Sequence, residues 1–272
     1  IQLNGLKLAA VSTALPKFEL KVSDLYGQFG EKEIERIALS TGIRSVRIAE
    51  KGINASDLCQ KAAEYLFDSA GIARETIDAI VFISQTPDFK MPATSCILQD
   101  RLKLKSSVVA FDINYGCSGY IYGLYQAALL IASKSAQKVL ICAGDVISNY
   151  LHPFDHKVKL VLGDAGSASI VEAGEDTWAF NIYTNGSGYD KLIIPKINSM
   201  QDGYLQMDGA AVMEFALREV SSTFNNVLQQ KGWERNEVQH AVFHQPNEFM
   251  LNYLRKKMQL TKEQVPIAVK KY

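Results

Sequence analysis

Two short runs of the chain are apolar on both faces, and they constrain the fold more than any other feature. Ile77–Ser84 (IDAIVFIS) and Lys138–Ala143 (KVLICA) are dominated by aliphatic and aromatic side chains. Strands that bury both faces are typical of parallel sheets covered by helices. An amphipathic helical pattern at Asn54–Ala70, with Ser56-Asp57 as a plausible cap, precedes the first run. The sequence therefore predicts an α/β fold.

One cysteine lies between a predicted strand and a predicted helix. Val108–Ile113 predicts a buried strand, and the residues from Ser118 onward have the composition of a buried helix. Cys117 occupies the turn, and the flanking Gly116 and Gly119 would let the backbone turn sharply and leave room for a substrate. The positive end of the helix would favour a thiolate. Cys117 is thus a candidate nucleophile, with a small buried packing residue as the alternative.

A histidine occupies a similar place in the second half of the chain. Val238–Met250 predicts a strand, a turn and the start of a helix, with His244 ending the strand and Asn247 capping the helix. Side chains at the carboxyl ends of parallel strands converge where α/β proteins place their chemistry. We therefore expect His244 to work with Cys117.

Composition narrows the partners and the location. The 272 residues carry 29 Lys and Arg against 29 Asp and Glu, so no net field attracts nucleic acid or an anionic membrane. The apolar runs are shorter than the roughly 20 residues that span a bilayer, and the N-terminus has no signal-peptide pattern. A cytoplasmic location is expected. The four cysteines form no CxxC pair, and the spacing of His152, Asp155 and His156 matches no metal site, so we expect no metal.

The chain also contains an internal repeat. Gly71–Ile83 (GIARETIDAIVFI) aligns without a gap to Gly232–His244 (GWERNEVQHAVFH), and both follow long helical patterns, the second at Met207–Gln230. Agreement in residues and in element order predicts a duplicated α/β unit. An offset of 161 residues relates the two copies, so the position equivalent to Cys117 is 278, beyond Tyr272.

The repeat divides the chain into a first half, 1–172, and a second half, 173–272, which we expect to be incomplete in this sequence. The remaining segments have weaker signals. They predict a first strand at Leu6–Leu15, a polar, partly helical surface segment at Lys21–Ser40, a short helix at Ser95–Leu102, a strand, turn and strand at Leu160–Val171, and an acidic turn at Glu172–Asp176 before a new strand from Trp178 to Tyr183.

Five segments, in order, are TGIRSVR, DINYGCSGY, LGDAGSASIV, LQMDGAAVMEFA and HQPNEF. With them the chain resembles the thiolase-fold condensing enzymes, and among these the β-ketoacyl-acyl-carrier-protein synthase III group. The resemblance implies two similar βαβαβαββ halves in a five-layered α-β-α-β-α arrangement, usually as a homodimer. It also implies a Cys-His-Asn catalytic set, in which Cys117 and His244 supply the first two members. The asparagine is expected in a G-N-[ST] segment soon after Tyr272.

The resemblance further implies the chemistry. An acyl thioester would acylate Cys117, and decarboxylative Claisen condensation with malonyl-acyl-carrier protein would give a β-ketoacyl product that starts a fatty-acid or polyketide-type chain. Acyl-CoA or acyl-carrier protein would be the substrates, acyl-carrier protein a partner, and no cofactor would be needed. Two alternatives remain open: an acyltransferase to an oxygen or nitrogen acceptor, and a partner subunit of a heterodimer, which the presence of Cys117 and His244 disfavours.

Departures from the family bear on substrate binding. Relatives that take acyl-CoA commonly clamp the adenine between a Trp and an Arg, and Arg36 and His156 stand at those positions. Ser40 stands where a basic residue is usual, and Tyr115 either narrows the acyl pocket or packs on the neighbouring helix. The acyl donor is then a carrier protein, or a CoA held differently. The predicted substrate-binding residues are Arg36, His156, Gln245, Pro246, Asn247, Glu248 and Phe249, where Pro246 replaces the alanine of the family's HQAN motif and Phe249 an arginine.

Overall fold

The computed structural model describes residues 1–198 and 203–269, which form a mixed α/β structure, as predicted. The strands are β1 (Gln2–Ala14), β2 (Phe18–Lys21), β3 (Ser45–Ile48), β4 (Ala79–Ile83), β5 (Val109–Ile113), β6 (Lys138–Asp145), β7 (Ala165–Ala179), β8 (Leu192–Ile193) and β9 (Gln206–Met207). The α-helices are α1 (Tyr26–Phe29), α2 (Glu31–Thr41), α3 (Ala55–Ala70), α4 (Thr94–Arg101), α5 (Gly119–Ala132), α6 (His156–Lys159), α7 (Gly209–Lys231) and α8 (Glu248–Lys257).

Packing divides the chain into two compact units. The first contains Ile1–Phe18, Arg47–Ile147 and Asp164–Trp178, and the second contains Glu19–Val46, Ser148–Gly163 and the described part of Ala179–Tyr272. The predicted division into 1–172 and 173–272 stays a prediction. None of the helices in the described ranges combines the length and the apolar character needed to cross a membrane.

A five-stranded sheet, in the order β1-β7-β6-β4-β5, forms the centre of the first unit. The middle strand β4 runs parallel to β5 and β6, and Ile83 pairs in register with both Ile113 and Ala143. The carboxyl ends of three neighbouring strands therefore lie side by side. Every residue of β4 is buried, and α3 contributes Leu58 and Leu66 to the same core, which confirms the predicted covered sheet.

The cap of α3 differs from the prediction. The helix begins at Ala55, and the Asn54 N–H donates to the Asp57 carboxylate at 2.8 Å, so Asn54 is the cap residue. Ser56 lies inside the first turn, where its side chain is fully buried and its hydroxyl donates to Asp88. The prediction of Ser56-Asp57 as the cap therefore placed it two residues too late. Asp57 itself completes a capping box from the third helical position.

Strand β5 is not buried, contrary to the prediction. It forms the edge of the sheet, pairs with β4 on one side, and leaves Val109 47% exposed. In the described ranges no strand pairs with its other side. A short apolar run has the same composition in a central strand and in an edge strand, because strand order is a tertiary property.

The predicted acidic turn is part of a strand. Strand β7 continues through Glu172–Asp176, so no new strand starts at Trp178. It lies between β1 and β6, and Glu172 forms ion pairs with Lys138 at 3.0 Å and Lys7 at 3.4 Å. Pairing with cations on both neighbouring strands stabilises an acidic residue inside the sheet, so the acidic run does not break the strand.

The segment before β7 was also predicted wrongly. Residues 160–163 belong to no strand, and residues 160–161 form a turn after α6. The Val161 and Leu162 N–H groups both donate to the Val158 carbonyl at 3.1 Å. Leu160 is fully buried in the second unit. It packs with Ile34 and Ala38 of α2, so the segment at Lys21–Ser40 is partly helical as predicted but buries an apolar face.

Helices α7 and α8 share a second core in the second unit. From α7, Ala216, Val220 and Phe224 pack against this core, whereas Phe215 is 47% exposed. The buried members of this cluster are Leu228, Val238, Ala241, Met250, Leu254, Met258, Leu260 and Val265.

The repeated segments adopt the same local structure. Gly71 (φ 63°) and Gly232 (φ 66°) end α3 and α7 in the left-handed conformation that glycine adopts without strain. Each is followed by a 3-10 turn, Arg74–Thr76 in the first copy and Arg235–Glu237 in the second. These shared features support the predicted duplication of the helix and turn.

The copies then diverge, and the predicted strand ending at His244 is wrong. Where the first copy continues into β4, residues 238–244 belong to no strand. The Ala241 N–H donates to the Gln264 carbonyl at 2.7 Å, but a strand needs a ladder of successive bonds. In the described part of the chain no strand pairs with this segment.

Candidate active site

Cys117 lies in the turn between β5 and α5, as predicted, two residues before the helix begins at Gly119. The Gly119 N–H donates to the Gly116 carbonyl at 2.8 Å and closes the turn. The cysteine is exposed, which rules out the alternative role as a buried packing residue. A thiol presented in an exposed turn before a helix is accessible to a thioester.

Two other cysteines, in contrast to Cys117, are buried. Cys59 and Cys142 lie inside the core of the first unit. Burial raises the pKa of Cys59 to about 12, and burial also raises that of Cys142. Because the thiolate is the nucleophile, these two thiols remain inert at neutral pH.

The glycines around Cys117 are required for close packing. A Cβ at Gly116 would lie 2.2 Å from the Gln85 Oε1, and a Cβ at Gly119 would lie 2.5 Å from the Ile83 Cγ2. Neither glycine has a left-handed φ. The nucleophile turn, residues 114–118, therefore rests directly on the end of β4. This is the main reason for glycine here, rather than the sharp backbone turn expected from the sequence.

Tyr115 packs against the neighbouring helix. Its ring stacks on Tyr122 of α5 with the centroids 4.4 Å apart. The hydrogen bond with Tyr122 raises the pKa of Tyr115 above 10.0. The structure thus supports the packing alternative for this residue.

A carboxylate that the sequence reasoning missed lies at the end of β6. The Asp145 Oδ1 accepts bonds from the Ser84 hydroxyl (2.9 Å), the Gln85 N–H (2.7 Å), and the N–H and hydroxyl of Thr86 (2.9 and 3.0 Å). Burial raises the pKa of Asp145 above 3.8, and these hydrogen bonds oppose that shift. The available signal was an aspartate directly after the apolar run KVLICAG, at a predicted carboxyl end.

In the second unit, two predicted site residues hold the segment that carries His244. The Gln245 amide donates to the carbonyls of Phe243 (3.1 Å) and Pro266 (3.2 Å), and its oxygen accepts from the Ala268 N–H (2.9 Å). The Asn247 Oδ1 accepts from the Met250 N–H at 2.8 Å, which confirms the predicted cap of α8. Both side chains are therefore engaged in shaping this segment.

A groove of about 540 Å³ follows this segment. Its apolar walls include Leu39, which is 73% exposed, and Phe249, which is 59% exposed. Of the lining residues only Glu248 is charged. The groove thus contains three of the predicted substrate-binding residues, Asn247, Glu248 and Phe249. It also contains Ser40, which stands where the family usually has a basic residue. The complete lining is Leu39, Ser40, Thr41, Gly42, Met213, Asn247, Glu248, Phe249 and Asn252.

Arg36 and His156 lie together on one carboxylate, that of Glu33. Arg36 donates to it through Nε at 3.0 Å and Nη2 at 2.7 Å, and the His156 Nε2 lies 3.4 Å from the Glu33 Oε1. The hydrogen bond from Arg36 lowers the pKa of Glu33 below 4.5. The Phe29 ring lies 5.1 Å from the His156 ring. The sequence reasoning did not single out Glu33.

In the polar loop at 149–159, Asp155 and His152 contact other residues of the second unit. Asp155 caps α6 by accepting from the Lys157 and Val158 N–H groups, and the His152 ring packs on Phe154 and Tyr204. Across residues 1–198 and 203–269, no group of three or more His, Cys, Asp or Glu side chains is placed to hold a metal ion.

Cys117 belongs to the first unit and His244 to the second. Their joint action stays a prediction, as do the catalytic and substrate-binding roles of the other predicted residues. Within the first unit, the exposed cysteine between a parallel strand and a helix, on a mixed five-stranded sheet, agrees with the thiolase-fold condensing-enzyme arrangement that the resemblance implies.

Comparison with known proteins specifies the family. Residues 111–186 match the profile of 3-oxoacyl-[acyl-carrier-protein (ACP)] synthase III, and residues 228–272 match the profile of its C-terminal region. The crystal structure of a 3-oxoacyl-(acyl-carrier protein) synthase from Burkholderia xenovorans LB400 superposes with a TM-score of 0.96 at 32% identity, over 100% of this chain and 82% of that one.

Two relatives agree. A β-ketoacyl-[acyl-carrier-protein] synthase III of Oceanobacillus iheyensis is 30% identical over 88% of this chain and 75% of its own length. The synthase III of Bordetella petrii is 29% identical over 96% of this chain and 83% of its own length. The chain belongs to the 3-oxoacyl-[acyl-carrier-protein] synthase III family, which is a family of transferases.

Proposed function

We propose that this chain catalyses the decarboxylative condensation that starts fatty-acid-type chains, with Cys117 as the nucleophile. The observation that carries the proposal is the exposed Cys117 thiol in the turn before α5, inside the segment that matches the synthase III profile. The relatives are named as synthases that act on acyl-carrier protein, which supports the same reaction type here.

The first step is acyl transfer to sulfur. The Cys117 thiolate attacks the carbonyl carbon of an acyl thioester, the bond from that carbon to the donor sulfur breaks, and the donor leaves as a thiol after taking up a proton. The product is an acyl-enzyme thioester on Cys117. Thioester exchange is close to balanced in energy, so the enzyme needs no further reactant for this step.

The second step forms the carbon–carbon bond. A malonyl thioester loses carbon dioxide, and the electron pair left behind forms an enolate whose oxygen accepts a hydrogen bond from a neutral His244. One such donor, placed where charge develops, contributes about 3 kcal/mol to transition-state stabilisation. The enolate carbon attacks the acyl carbon, the Cys117 sulfur leaves, and a β-ketoacyl thioester is released. No metal or redox group takes part in this sequence.

We infer from two features of the second unit that the acyl donor is a carrier-protein thioester. The groove beside Asn247 offers apolar walls and one carboxylate, with no cation in its lining. Arg36 already forms an ion pair with the Glu33 carboxylate, which also contacts His156, so the charge of Arg36 is partly neutralised. The nucleotide of CoA carries several negative charges and gains little from such a surface. The arm of a carrier protein ends in the same thiol without that nucleotide.

Intact-protein mass spectrometry tests the proposal. The protein is incubated with acyl-acyl-carrier protein or acyl-CoA, and then with malonyl-acyl-carrier protein. We expect an acyl adduct on Cys117 that the second reagent discharges to a β-ketoacyl product, and no adduct in Cys117→Ala. His244→Ala should acylate but release little carbon dioxide. An adduct that only an oxygen or nitrogen acceptor discharges would replace condensation by simple acyl transfer.

A further inference from the structure

We propose that Asp145 is a positioning residue that holds the nucleophile turn in its reactive geometry. The inference rests on the proposed function, because it concerns the step in which Cys117 becomes acylated. Asp145 does not belong to the turn. It acts on the turn through the segment that follows β4, residues 84–86, and through the contact of that segment with Gly116.

The first link is the carboxylate of Asp145. One oxygen, Oδ1, accepts four hydrogen bonds from three consecutive residues, Ser84, Gln85 and Thr86. Two of the donors are backbone N–H groups, so the bonds fix the path of the main chain as well as the side chains. The Thr86 hydroxyl also accepts from the Val146 N–H at 2.8 Å, which closes the connection back to β6. Hydrogen bonds to an ionised group are stronger than neutral ones.

Asp145 itself is held by the sheet. It is the last residue of β6 and pairs with Ala165 at the start of β7. Ile83 of β4 is in register with Ala143 of β6, so the segment after β4 and Asp145 emerge at the same level of the sheet. The carboxylate therefore fixes the position of residues 84–86 relative to the rigid, paired end of β6.

The second link is the contact with the nucleophile turn. The Gln85 side chain lies so close to Gly116 that an added Cβ would be 2.2 Å from Oε1 and 2.9 Å from Cδ. The preceding residue in the ladder, Ser84, donates its N–H to the Ile113 carbonyl at 3.2 Å. Asp145 thus holds the segment 84–86, and this segment contacts β5 through Ser84 and the nucleophile turn through Gln85. The second contact is with Gly116, the residue next to Cys117.

A comparison inside the same sheet distinguishes positioning from general stability. At the opposite end of β4, Asp78 accepts from the Lys105 Nζ (2.7 Å) and from the N–H groups of Gln137 (2.8 Å) and Lys138 (3.2 Å). This carboxylate also joins β4 to β6, but at the amino ends of the strands. Asp78→Asn is therefore a matched control that removes the negative charge from a similar set of bonds, away from the nucleophile.

The test compares Asp145→Asn with Asp78→Asn in the full chain. The readouts are kcat and KM with the acyl donor, the rate of Cys117 acylation by mass spectrometry, the rate of Cys117 alkylation by iodoacetamide, and the folded fraction by circular dichroism. Misplacing a reacting group by about 1 Å lowers rates by up to about 100-fold. We expect Asp145→Asn to lower kcat and the acylation rate by about tenfold, with KM within about twofold of wild type. Asp78→Asn should lower the unfolding midpoint and leave kcat unchanged.

A second pair of variants covers the case in which Asp145→Asn does not fold. Thr86→Val removes one donor to Asp145 and keeps the shape of the side chain, whereas Thr86→Ser keeps the hydroxyl. We expect Thr86→Val to lower the acylation rate about threefold, and Thr86→Ser to keep the rate within about twofold of wild type. Equal acylation rates in Thr86→Val and wild type, or an equal loss in Asp145→Asn and Asp78→Asn, would overturn the inference. Failure of the wild-type chain to acylate at Cys117 would instead overturn the proposed function.

Discussion

Replacing Gly123 by alanine tests how closely α5, the helix after the nucleophile turn, is seated on β4. A Cβ at this position would lie 2.3 Å from the Ile83 Cδ1 and 3.3 Å from the Ile141 Cγ2. Carbon atoms pack best at about 3.5–4.0 Å, so the first contact is too short by roughly 1.2 Å. Ile83 is 3% exposed and lies on β4, between β5 and β6, so it has little space to move.

The magnitude follows from two opposing effects. Overpacking a core costs about 1–3 kcal/mol, whereas alanine in a helix is favoured over glycine by about 1 kcal/mol. We expect Gly123→Ala to lower the free energy of unfolding by about 1 kcal/mol. Ile83→Val removes the clashing Cδ1 atom and alone costs about 1 kcal/mol. In the Ile83→Val background, Gly123→Ala should be neutral or stabilising by up to about 1 kcal/mol, which corresponds to a coupling energy of about 1–2 kcal/mol.

Urea denaturation of the four proteins of this cycle, followed by circular dichroism, measures the coupling. Gly27→Ala is the matched control, because Gly27 is also helical and an added Cβ there meets no atom within 4 Å. We expect this control to be neutral or stabilising. If Gly123→Ala has the same effect with Ile83 and with valine at that position, the contact with Cδ1 does not determine the need for glycine, and the argument is wrong.

Four further predictions concern other parts of the molecule. A hydrogen bond from Lys138 is the main cause that lowers the pKa of Glu172 below 4.5. As the pH falls, the unfolded state therefore binds a proton at Glu172 before the folded state does. The stability that Glu172 contributes is complete above pH 4.5 and is lost as the pH falls below it. Glu172→Gln should reduce the loss of stability between about pH 5 and 3 in acid unfolding. The control Glu175→Gln, at an exposed position, should not. Glu33→Gln should lower KM for acyl-CoA, by releasing Arg36, and leave KM for acyl-carrier protein unchanged in steady-state assays. Val109→Lys, on the exposed edge of β5, should reduce the dimer fraction measured by light scattering if the chain forms the predicted homodimer through that edge. Gly166→Ala should cost about 3 kcal/mol in urea denaturation, because its Cβ would lie 2.6 Å from the backbone of α3.

The sequence predicted the elements whose signals are local. The sequence located three elements within a few residues: the helix α3 from its helical periodicity, the strand β4 from its apolar run, and the turn at Cys117 from its glycines. These signals depend only on nearby residues. The internal repeat was also visible, since its glycine and arginine recur in the same local geometry.

The errors came from properties that only the assembled sheet determines. Glu172 appeared to break a strand because its cationic partners on β1 and β6 are distant in the sequence. The strand predicted before His244 failed for a related reason, since strand character depends on a hydrogen-bonded neighbour. Asp145 was overlooked because the role of a carboxylate depends on the donors around it, and Ser84, for example, lies 61 residues away in the sequence. For Glu33, Arg36 is three residues away, but the second partner, His156, is 123 residues away.

The cysteines show how the fold assigns chemistry to a residue type. Cys59, Cys142 and Cys117 all belong to the first unit, but the first two lie in its core, where burial raises the pKa of Cys59 to about 12. The third is exposed in a turn that β4 supports from below through Ile83 and Gln85. The exposure of Cys117 therefore depends on strand order: β5 is the edge strand next to β4, so the turn after it is supported on one side and open on the other.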